Sequence, residues 1–310
     1  MRLVFFGSPE AALPALERLL GDGHEVAAVV TQPDKPAGRG KLLTPCAVKR
    51  FALSRGLAVL QPERIRNDPS IKDRLEDVRP DVHIVVAYGQ ILPAPILFLP
   101  RRRTLNVHFS LLPKYRGAAP VAWSILRGET RTGVTLMELN ERMDEGDILA
   151  QEETDIRPDE TAASLEKRLA VLGAGLLAES LGRIDRLERR PQDSRLATYA
   201  PKLRKEDGRL DWAQEAEAVD RRVRAFTPWP SAFTGFRDRR VIVLEGRVNP
   251  ENTGKSVPGT ILSSSGEGLR VACGRDIYVV ERLQPENKKP MSAWDFSLGA
   301  RIRDGERFSG

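Results

Sequence analysis

With 310 residues, the chain is long enough for two domains of ordinary size, each with its own apolar core. Hydrophobic residues make up 41% and charged residues 30% of the chain, and glycine and proline are spread along it, which excludes a disordered or fibrous protein. The formal net charge of +6 is compatible with a polyanionic partner but is too small to require one.

Cysteine usage and the N-terminal segment point to a reducing compartment. Cys46 and Cys273 are far apart and have no Cys or His at metal-binding spacing, so neither a disulfide framework nor a zinc site is predicted. Residues 2–6 are apolar directly after the start, without a basic segment and a long apolar stretch, and no window reaches membrane-spanning length. We therefore expect a cytoplasmic protein without a membrane contact.

The first part of the chain alternates between strand and helix patterns. We predict strands at residues 2–6, 24–31, 82–86 and 104–108. Gly7-Ser8-Pro9-Glu10 supplies a turn, a Ser N-cap and a Pro at the first helical position, which predicts a helix to about Leu20. The fold class is therefore α/β, with an open, mostly parallel Rossmann-like sheet. The first turn lacks the Gly-x-Gly-x-x-Gly pattern, which disfavours a dinucleotide site.

A second domain is expected after a linker. Leucines at helical spacing from Thr161 predict one amphipathic helix that ends near Arg190, and the polar, proline-interrupted residues 191–207 predict a linker. The domains are then 1–190 and 208–310. The second is expected to contain one helix and several short strands, at 213–225, 231–236, 240–248, 258–263, 268–273 and 276–282. Their near-even spacing indicates a small, closed or partly closed, OB-like β-barrel.

Two polar side chains stand where the predicted strand 104–108 ends. Asn106 and His108 are two residues apart and therefore face the same side of the sheet. Ligands of open α/β sheets bind at the carboxyl ends of strands. Each residue alone has a structural explanation, as a strand-end amide or a satisfied core histidine, but the pair favours a shared substrate atom.

Several motifs around this pair resemble one enzyme family. Asn106-Val107-His108, Ser110-Leu111-Leu112-Pro113 and Arg116-Gly117-Ala118-Ala119-Pro120 are together similar to the signature of enzymes that use 10-formyltetrahydrofolate. Met143-Asp144-Glu145-Gly146-Asp147-Ile148 resembles the second segment of that family, in which the first aspartate is catalytic. The resemblance therefore assigns the catalytic acid to Asp144.

The resemblance extends over nearly the whole chain to the methionyl-tRNA formyltransferases. It is carried by further segments at 32–41, 198–203, 224–230 and 258–261. The chain departs from the family pattern at Phe109, Thr227 and Asn287, and the first of these reshapes the floor of the formyl site. None of the departures removes a catalytic group.

The resemblance implies transfer of a formyl group from 10-formyltetrahydrofolate to the α-amino group of methionine on initiator methionyl-tRNA. Attack of the amine places negative charge on the former carbonyl oxygen, and hydrogen-bond donors at that oxygen are usually the largest catalytic contribution. Asn106 and His108 can donate there, while Asp144 would orient the imidazole. We assign folate contacts to residues in two loops: Ser110, Leu111, Leu112, Pro113, Tyr88 and Gly89.

The acidic run around Asp144 has two other interpretations. Alone, Asp144-Glu145-Gly146-Asp147 before an apolar strand is ordinary turn chemistry. A metal site that includes Glu138 and Glu141 is also conceivable, but the acids have no fixed ligand spacing, so we predict no metal.

Basic residues in three places are candidate contacts for tRNA phosphates. They are Lys35, Arg39 and Lys41 in the loop after the second strand, Lys202, Arg204 and Lys205 in the linker, and Arg221 and Arg224 on the predicted helix. Without the resemblance, solvated surface charges are the simpler explanation of each. The resemblance implies that the basic loop steers the 3′ end of the tRNA toward His108 while the barrel holds the acceptor arm.

Two other functions use the same sequence features differently. A formyltransferase acting on an amino-sugar nucleotide would share Asn106, His108 and Asp144, but the basic loop and the C-terminal motifs argue against it. If the chain were a non-catalytic RNA-binding protein, we would expect these three residues to be replaced, whereas all three are present. We expect the enzyme to be a monomer.

Overall fold

The structure is a computed structural model that describes residues 1–37, 42–252, 254 and 256–309. The chain divides into two compact units. The first comprises Met1–Pro120, Arg131–Asp155 and Glu166–Pro201, and the second comprises Val121–Thr130, Ile156–Leu165 and Lys202–Gly310. Within the described ranges, no helix has both the length and the apolar character needed to cross a membrane.

The strands and α-helices have the following bounds, each numbered along the chain. The strands are β1 Arg2–Gly7, β2 Glu25–Val30, β3 Lys35–Ala37, β4 Leu42–Thr44, β5 Val59–Leu60, β6 Val82–Val86, β7 Arg103–His108, β8 Arg116–Gly117, β9 Arg131–Glu138, β10 Ile148–Asp155, β11 Tyr199–Ala200, β12 Phe233–Phe236, β13 Arg239–Asn249, β14 Ile261–Ser265, β15 Gly268–Ala272, β16 Ile277–Pro285 and β17 Met291–Ser292. The α-helices are α1 Leu13–Gly21, α2 Ala47–Ser54, α3 Pro69–Val78, α4 Ala94–Leu97, α5 Pro120–Leu126, α6 Ala162–Leu181, α7 Ala216–Ala225 and α8 Ala293–Ala300.

A seven-stranded sheet in the order β10-β9-β7-β6-β1-β2-β5 organises the first unit. The strands from β7 to β5 pair in parallel, whereas β9 pairs antiparallel with both β7 and β10. The mostly parallel Rossmann-like sheet is therefore confirmed. Strand β1, which lies inside the sheet between β6 and β2, is apolar and buried from Leu3 to Phe6, as expected for a strand that is covered on both faces.

Two predicted helices have different bounds in the structure. Ser8 does not cap the first helix, because its hydroxyl oxygen accepts a hydrogen bond from the Gln32 backbone N–H and α1 begins at Leu13 after a short 3-10 turn. The long helix α6 ends at Leu181 rather than near Arg190, followed by a 3-10 turn at Ile184–Arg186. Glycine favours a helix end, and Gly182 directly follows α6.

Helix α6 lies close to strand β7, which carries the predicted catalytic pair. At Gly173 in this helix, an added Cβ would lie 2.6 Å from Cγ1 of Val107. The absence of a side chain at 173 therefore lets the helix approach the strand, and this contact supports the backbone between Asn106 and His108.

The second unit is built on an antiparallel sheet in the order β12-β13-β16-β15-β14, with β17 paired to β16. The chain end ties its two edges together. Ser309 exchanges backbone hydrogen bonds with Gly235 of β12, and Phe308 donates to Gly259 next to β14. Trp212, Tyr278 and Phe308 lie in the apolar core beneath. An antiparallel strand domain after the first unit is thus confirmed, although helix α8 was not predicted.

Candidate active site

Asn106 and His108, the two polar residues in the second half of β7, both pair with buried residues of the neighbouring strands. Asn106 pairs with Val85 of β6 and Met137 of β9, and His108 pairs with Thr135 of β9. Both polar side chains are buried. The strand therefore delivers an amide and an imidazole to the carboxyl edge of the sheet, as the alternation of side chains predicts.

His108 is held through one ring nitrogen and faces Asp144 with the other. Its Nε2 lies 3.0 Å from the carbonyl oxygen of Tyr115. A carbonyl oxygen can only accept, so Nε2 carries a hydrogen and donates it. Nδ1 lies 3.8 Å from Oδ1 of Asp144, which is longer than a hydrogen bond. Nδ1 therefore lies beside the carboxylate without a direct hydrogen bond to it.

Asp144 lies in the turn between β9 and β10, in the left-handed region of backbone space with φ of 53°. Its Oδ2 accepts a hydrogen bond of 2.8 Å from the Gly117 backbone N–H. Gly117 has φ of 122°, and a Cβ there would lie 2.6 Å from the Ala200 carbonyl oxygen. Only glycine fits this close approach, which fixes the N–H that orients the carboxylate.

The predicted folate loop 110–113 is fixed by hydrogen bonds to β9 and β10. The Thr135 hydroxyl donates to the Ser110 carbonyl oxygen at 2.6 Å and accepts from the Leu112 N–H at 3.0 Å. The Gln151 amide donates to the Leu112 carbonyl oxygen at 2.9 Å. The Ser110 hydroxyl donates within the loop, to the Lys114 carbonyl oxygen. Its role is therefore to shape the loop, while Leu111 and Pro113 are half-buried beside it.

The second predicted folate segment offers backbone rather than a side chain. The Tyr88 ring is buried in the core of the first unit and packs edge-on against Phe6, with 5.6 Å between ring centroids. Burial raises the pKa of the Tyr88 phenol, and the buried hydroxyl has no hydrogen-bond partner. Gly89, which follows at φ of 80°, is exposed at the carboxyl end of β6.

The basic residues predicted to contact RNA differ in their surroundings. Lys202, Arg204 and Lys205 are exposed. Lys35 lies on β3 and donates to the Gln32 side-chain oxygen at 2.9 Å. Arg39 and Lys41 fall outside the described residues. Strands β3 and β4 pair as a hairpin on either side of them.

The two arginines predicted on helix α7 are already engaged in contacts. The Arg224 Nε donates to Oδ2 of Asp220 at 2.6 Å, and its Nη1 donates to the Glu160 carbonyl oxygen at 3.1 Å. Arg221 lies near Glu215 and Glu217, at 3.9 and 3.6 Å. Both guanidinium groups therefore stabilise the second unit, and they are poorer candidates for phosphate contacts than the exposed lysines.

Sequence reasoning missed two residues that support the Asp144 turn. The Arg116 side chain is buried and donates to Oε1 of Gln192, and the Gln192 amide donates to the carbonyl oxygens of Asp144 and Gly146. Arg116 belongs to a quoted motif, but nothing local distinguishes Gln192, which fell in the predicted linker. Residues 191–201 instead belong to the first unit, where β11 pairs in parallel with β8.

This arrangement is suited to acyl transfer to an amine. A buried amide and an imidazole can donate to an oxyanion, and a carboxylate beside the imidazole can accept a proton or orient it. In the parts of the chain that the structure describes, no group of three or more His, Cys, Asp or Glu side chains is arranged to hold a metal ion. Cys46 and Cys273 are free thiols, and burial raises the pKa of Cys273 to about 12.

Comparison with known proteins identifies the family. The chain matches the family model described as formyl transferase over residues 1–181, and the model of the formyl transferase C-terminal domain over residues 202–301. The methionyl-tRNA formyltransferase of Geobacter metallireducens is 44% identical over 309 residues, with 99% of this chain and 98% of that protein covered. That of Acetivibrio thermocellus is 43% identical over 308 residues, with 99% of each covered.

Two solved structures show the same fold at lower identity. WlaRD, a sugar 3N-formyl transferase, superposes with a TM-score of 0.68 at 18% identity, with 93% of this chain and 99% of that chain covered. HypX from Aquifex aeolicus in complex with tetrahydrofolic acid gives a TM-score of 0.65 at 20% identity over 96% of this chain, which spans about half of HypX, 47%. From the family models and the two bacterial relatives, we conclude that this chain belongs to the methionyl-tRNA formyltransferase family.

Proposed function

We propose that this enzyme transfers the formyl group of 10-formyltetrahydrofolate to the α-amino group of methionine on initiator methionyl-tRNA. Family membership supports the overall reaction. The observation that carries the site assignment is the meeting of His108 Nδ1 and Asp144 Oδ1, 3.8 Å apart, at the strand end that also carries Asn106. Folate and the aminoacyl end are both substrates, and no resident cofactor takes part.

The proposed chemistry begins with attack of the neutral amine nitrogen on the formyl carbon. The carbon becomes tetrahedral, and its oxygen takes the negative charge, which the Asn106 amide N–H and the His108 imidazole stabilise. Because Nε2 of His108 already donates to Tyr115, Nδ1 is the nitrogen that serves the reaction: it accepts the proton that the attacking amine loses and, once protonated, donates to the oxyanion. A preorganised donor at such an oxygen contributes about 3 to 4 kcal/mol to the lowering of the barrier.

Proton transfer completes the reaction. The attacking amine must lose a proton, and the folate nitrogen must gain one as its bond to the formyl carbon breaks. Nδ1 of His108 and the carboxylate of Asp144 lie next to each other and offer a short path between the two nitrogens. No covalent bond to the protein forms, and the products are formyl-methionyl-tRNA and tetrahydrofolate.

Basic residues in each unit are proposed to contact RNA phosphates. Lys202, Arg204 and Lys205 are exposed cations, which suits contacts with phosphates. Arg39 and Lys41, between β3 and β4, remain part of this proposal because of the family resemblance alone. We further propose that the enzyme acts in the cytoplasm and as a monomer, and sedimentation at several protein concentrations would test the second point.

The direct test is incubation with 10-formyltetrahydrofolate and charged initiator tRNA, followed by detection of acid-stable formyl-methionine. The matched control is the same tRNA carrying N-acetylmethionine, whose blocked amine must give no product. Formylation of an amino-sugar nucleotide, with none of the charged tRNA, would replace the proposal by the sugar-nucleotide reaction. RNA binding without formylation of either acceptor would favour a non-catalytic RNA-binding protein.

A further inference from the structure

The side-chain amide of Gln192 is completely used in hydrogen bonds within the first unit. Its Nε2 donates to the backbone carbonyl oxygens of Asp144 at 2.9 Å and Gly146 at 2.7 Å. Its Oε1 accepts from Nε and Nη2 of Arg116 at 3.1 and 2.9 Å. Two donors and two acceptor positions are thereby satisfied, which makes the amide a rigid link between Arg116 and the Asp144 turn.

Arg116 is a buried cation at the other end of this link. Only 4% of its side chain is exposed, and Nη1 lies 3.3 Å from Oε1 of Glu145. A buried charge is tolerated only when it is paired and hydrogen-bonded. The planar guanidinium therefore contacts both Glu145 of the turn and the Gln192 side chain, each through different N–H groups.

Three consecutive residues contact the two proposed catalytic groups and the turn. The Tyr115 carbonyl accepts from His108, the Arg116 guanidinium contacts Glu145 of the turn, and the Gly117 N–H donates to Asp144. This short segment is itself fixed, because the Tyr115 N–H donates to the Thr198 hydroxyl and β8 pairs with β11. Residues 115–117 thus position the imidazole and the carboxylate relative to each other.

The Asp144 turn needs such support. A left-handed conformation is uncommon for a residue with a side chain, although aspartate adopts it more readily than most, and Asp144 has φ of 53°. Residues 140–143, directly before it, are exposed, and the exposed Arg142 reaches Glu145 at 3.6 Å, whereas the buried contacts of the turn come from Arg116 and Gln192. The Gln192 amide bonds to the backbone of Asp144 itself and of Gly146, two residues later.

We propose that Gln192, held by Arg116, is a positioning residue that fixes the Asp144 carboxylate beside His108. The inference rests on the proposed formyl transfer for its functional meaning. Gln192 acts through the backbone of the turn and does not touch the substrate. A displacement of about 1 Å in such a site can cost on the order of 100-fold in turnover, so two hydrogen bonds to the turn are enough to matter.

Gln192→Glu is the sharpest variant. The glutamate keeps two oxygens for the Arg116 guanidinium but loses both N–H donors and turns a carboxylate toward two carbonyl oxygens. We expect kcat to fall by about 10- to 100-fold, with KM for the tRNA changed by less than about twofold. The matched control is Gln284→Glu. It removes the hydrogen bond of 2.8 Å that the Gln284 side-chain amide donates to the Lys288 carbonyl oxygen in the second unit, and it should leave kcat unchanged.

Coupling to Asp144 separates positioning from general damage. In an Asp144→Asn background, single-turnover measurements should show Gln192→Glu lowering the rate by less than about twofold, because the carboxylate that it positions is already gone. A full 10- to 100-fold loss in that background would mean that Gln192 acts independently of Asp144. It would overturn the proposal.

A readout without catalysis distinguishes failure of this inference from failure of the proposed function. The chain has 3 histidines, so imidazole ring resonances of ¹⁵N-histidine-labelled protein can be assigned by substitution. We expect the His108 resonances to move in Gln192→Glu and in Asp144→Asn, and to stay in place in Gln284→Glu. Unchanged His108 resonances in folded Gln192→Glu would refute the inference, whether or not the wild-type protein formylates tRNA.

Discussion

Two regions of the molecule contain buried or half-buried arginines paired with acids, and they use them in opposite ways. On helix α7, Arg224 donates to the Asp220 carboxylate and to the Glu160 carbonyl oxygen. Near the end of β7, Arg116 contacts Gln192 and Glu145, which support the turn that carries Asp144, and Asp144 faces the His108 imidazole at 3.8 Å. In the proposed reactive site, the imidazole and the carboxylate are held in place by neighbours and still keep atoms available for a substrate.

The largest expected effect comes from removing the imidazole. His108→Ala deletes the Nδ1 that accepts the amine proton and then donates to the oxyanion, and it should lower kcat by about 1000-fold, with KM for the tRNA changed by less than about threefold. The matched control is His24→Ala, which removes a half-buried histidine near the N-terminus and should keep full activity. Initial rates at saturating folate provide the measurement. A loss confined to tRNA binding would place His108 in recognition and abolish the contrast between the two regions.

Removing an arginine from helix α7 should affect stability and spare turnover. Arg224→Met leaves Asp220 without its ion-pair partner, and we expect a loss of about 2 kcal/mol in the free energy of unfolding. Urea unfolding measures it, and kcat at temperatures where the variant is folded should match the wild type. A normal stability with weakened tRNA binding would instead make Arg224 a phosphate contact.

The same variant has a predictable dependence on pH. Burial raises the pKa of Asp220, while the hydrogen bond from Arg224 opposes this. Without Arg224 the pKa rises further above its unfolded value, so the folded state binds the proton more tightly than the unfolded chain. The stability deficit should therefore be largest near pH 7 and shrink as the pH falls through the raised pKa of Asp220. A deficit that grows on acidification would contradict this account.

Replacing the exposed lysines at 202 and 205 should weaken tRNA binding slightly and leave stability and kcat unchanged. Lys202→Ala combined with Lys205→Ala should raise KM for the tRNA by about 5-fold and reduce the slope of log affinity against log salt by about 2. Lys167→Ala, an exposed lysine on α6, is the control. An unchanged salt dependence would exclude phosphate contacts at these lysines.

The sequence predicted what depends on local patterns. Apolar β-branched runs predicted β1, β2, β6 and β7, and the spacing of Asn106 and His108 predicted their common face. Helix ends were less accurate, since Ser8 bonds to a neighbouring strand rather than to its own helix. The competing partner is distant in sequence, so no local rule identifies it.

The support of the site depends on contacts between distant segments. Gln192 meets residues 144 and 146 because the chain after α6 returns to the first unit, where Arg190 pairs with Ile148 and β11 pairs with β8. The family resemblance assigned roles to Asn106, His108 and Asp144 but gave no reason to single out a glutamine in a polar stretch. For the arginines of α7, the sequence recorded charge but not the acids that occupy each guanidinium.

The smallest expected effect tests whether Tyr88 belongs to the core or to the folate site. Its hydroxyl is buried without a partner, so Tyr88→Phe removes a desolvated polar group and should leave the free energy of unfolding unchanged or raise it by about 1 kcal/mol. KM for 10-formyltetrahydrofolate should stay the same, because the phenol is buried, whereas Gly89, which we propose contacts folate, is exposed. Ser110→Ala is a useful comparison, since it removes a hydroxyl that does have a partner and should loosen the loop. A rise in folate KM for Tyr88→Phe alone would mean that the ring leaves the core when folate binds. Tyr88 would then belong to the folate site as well as to the core.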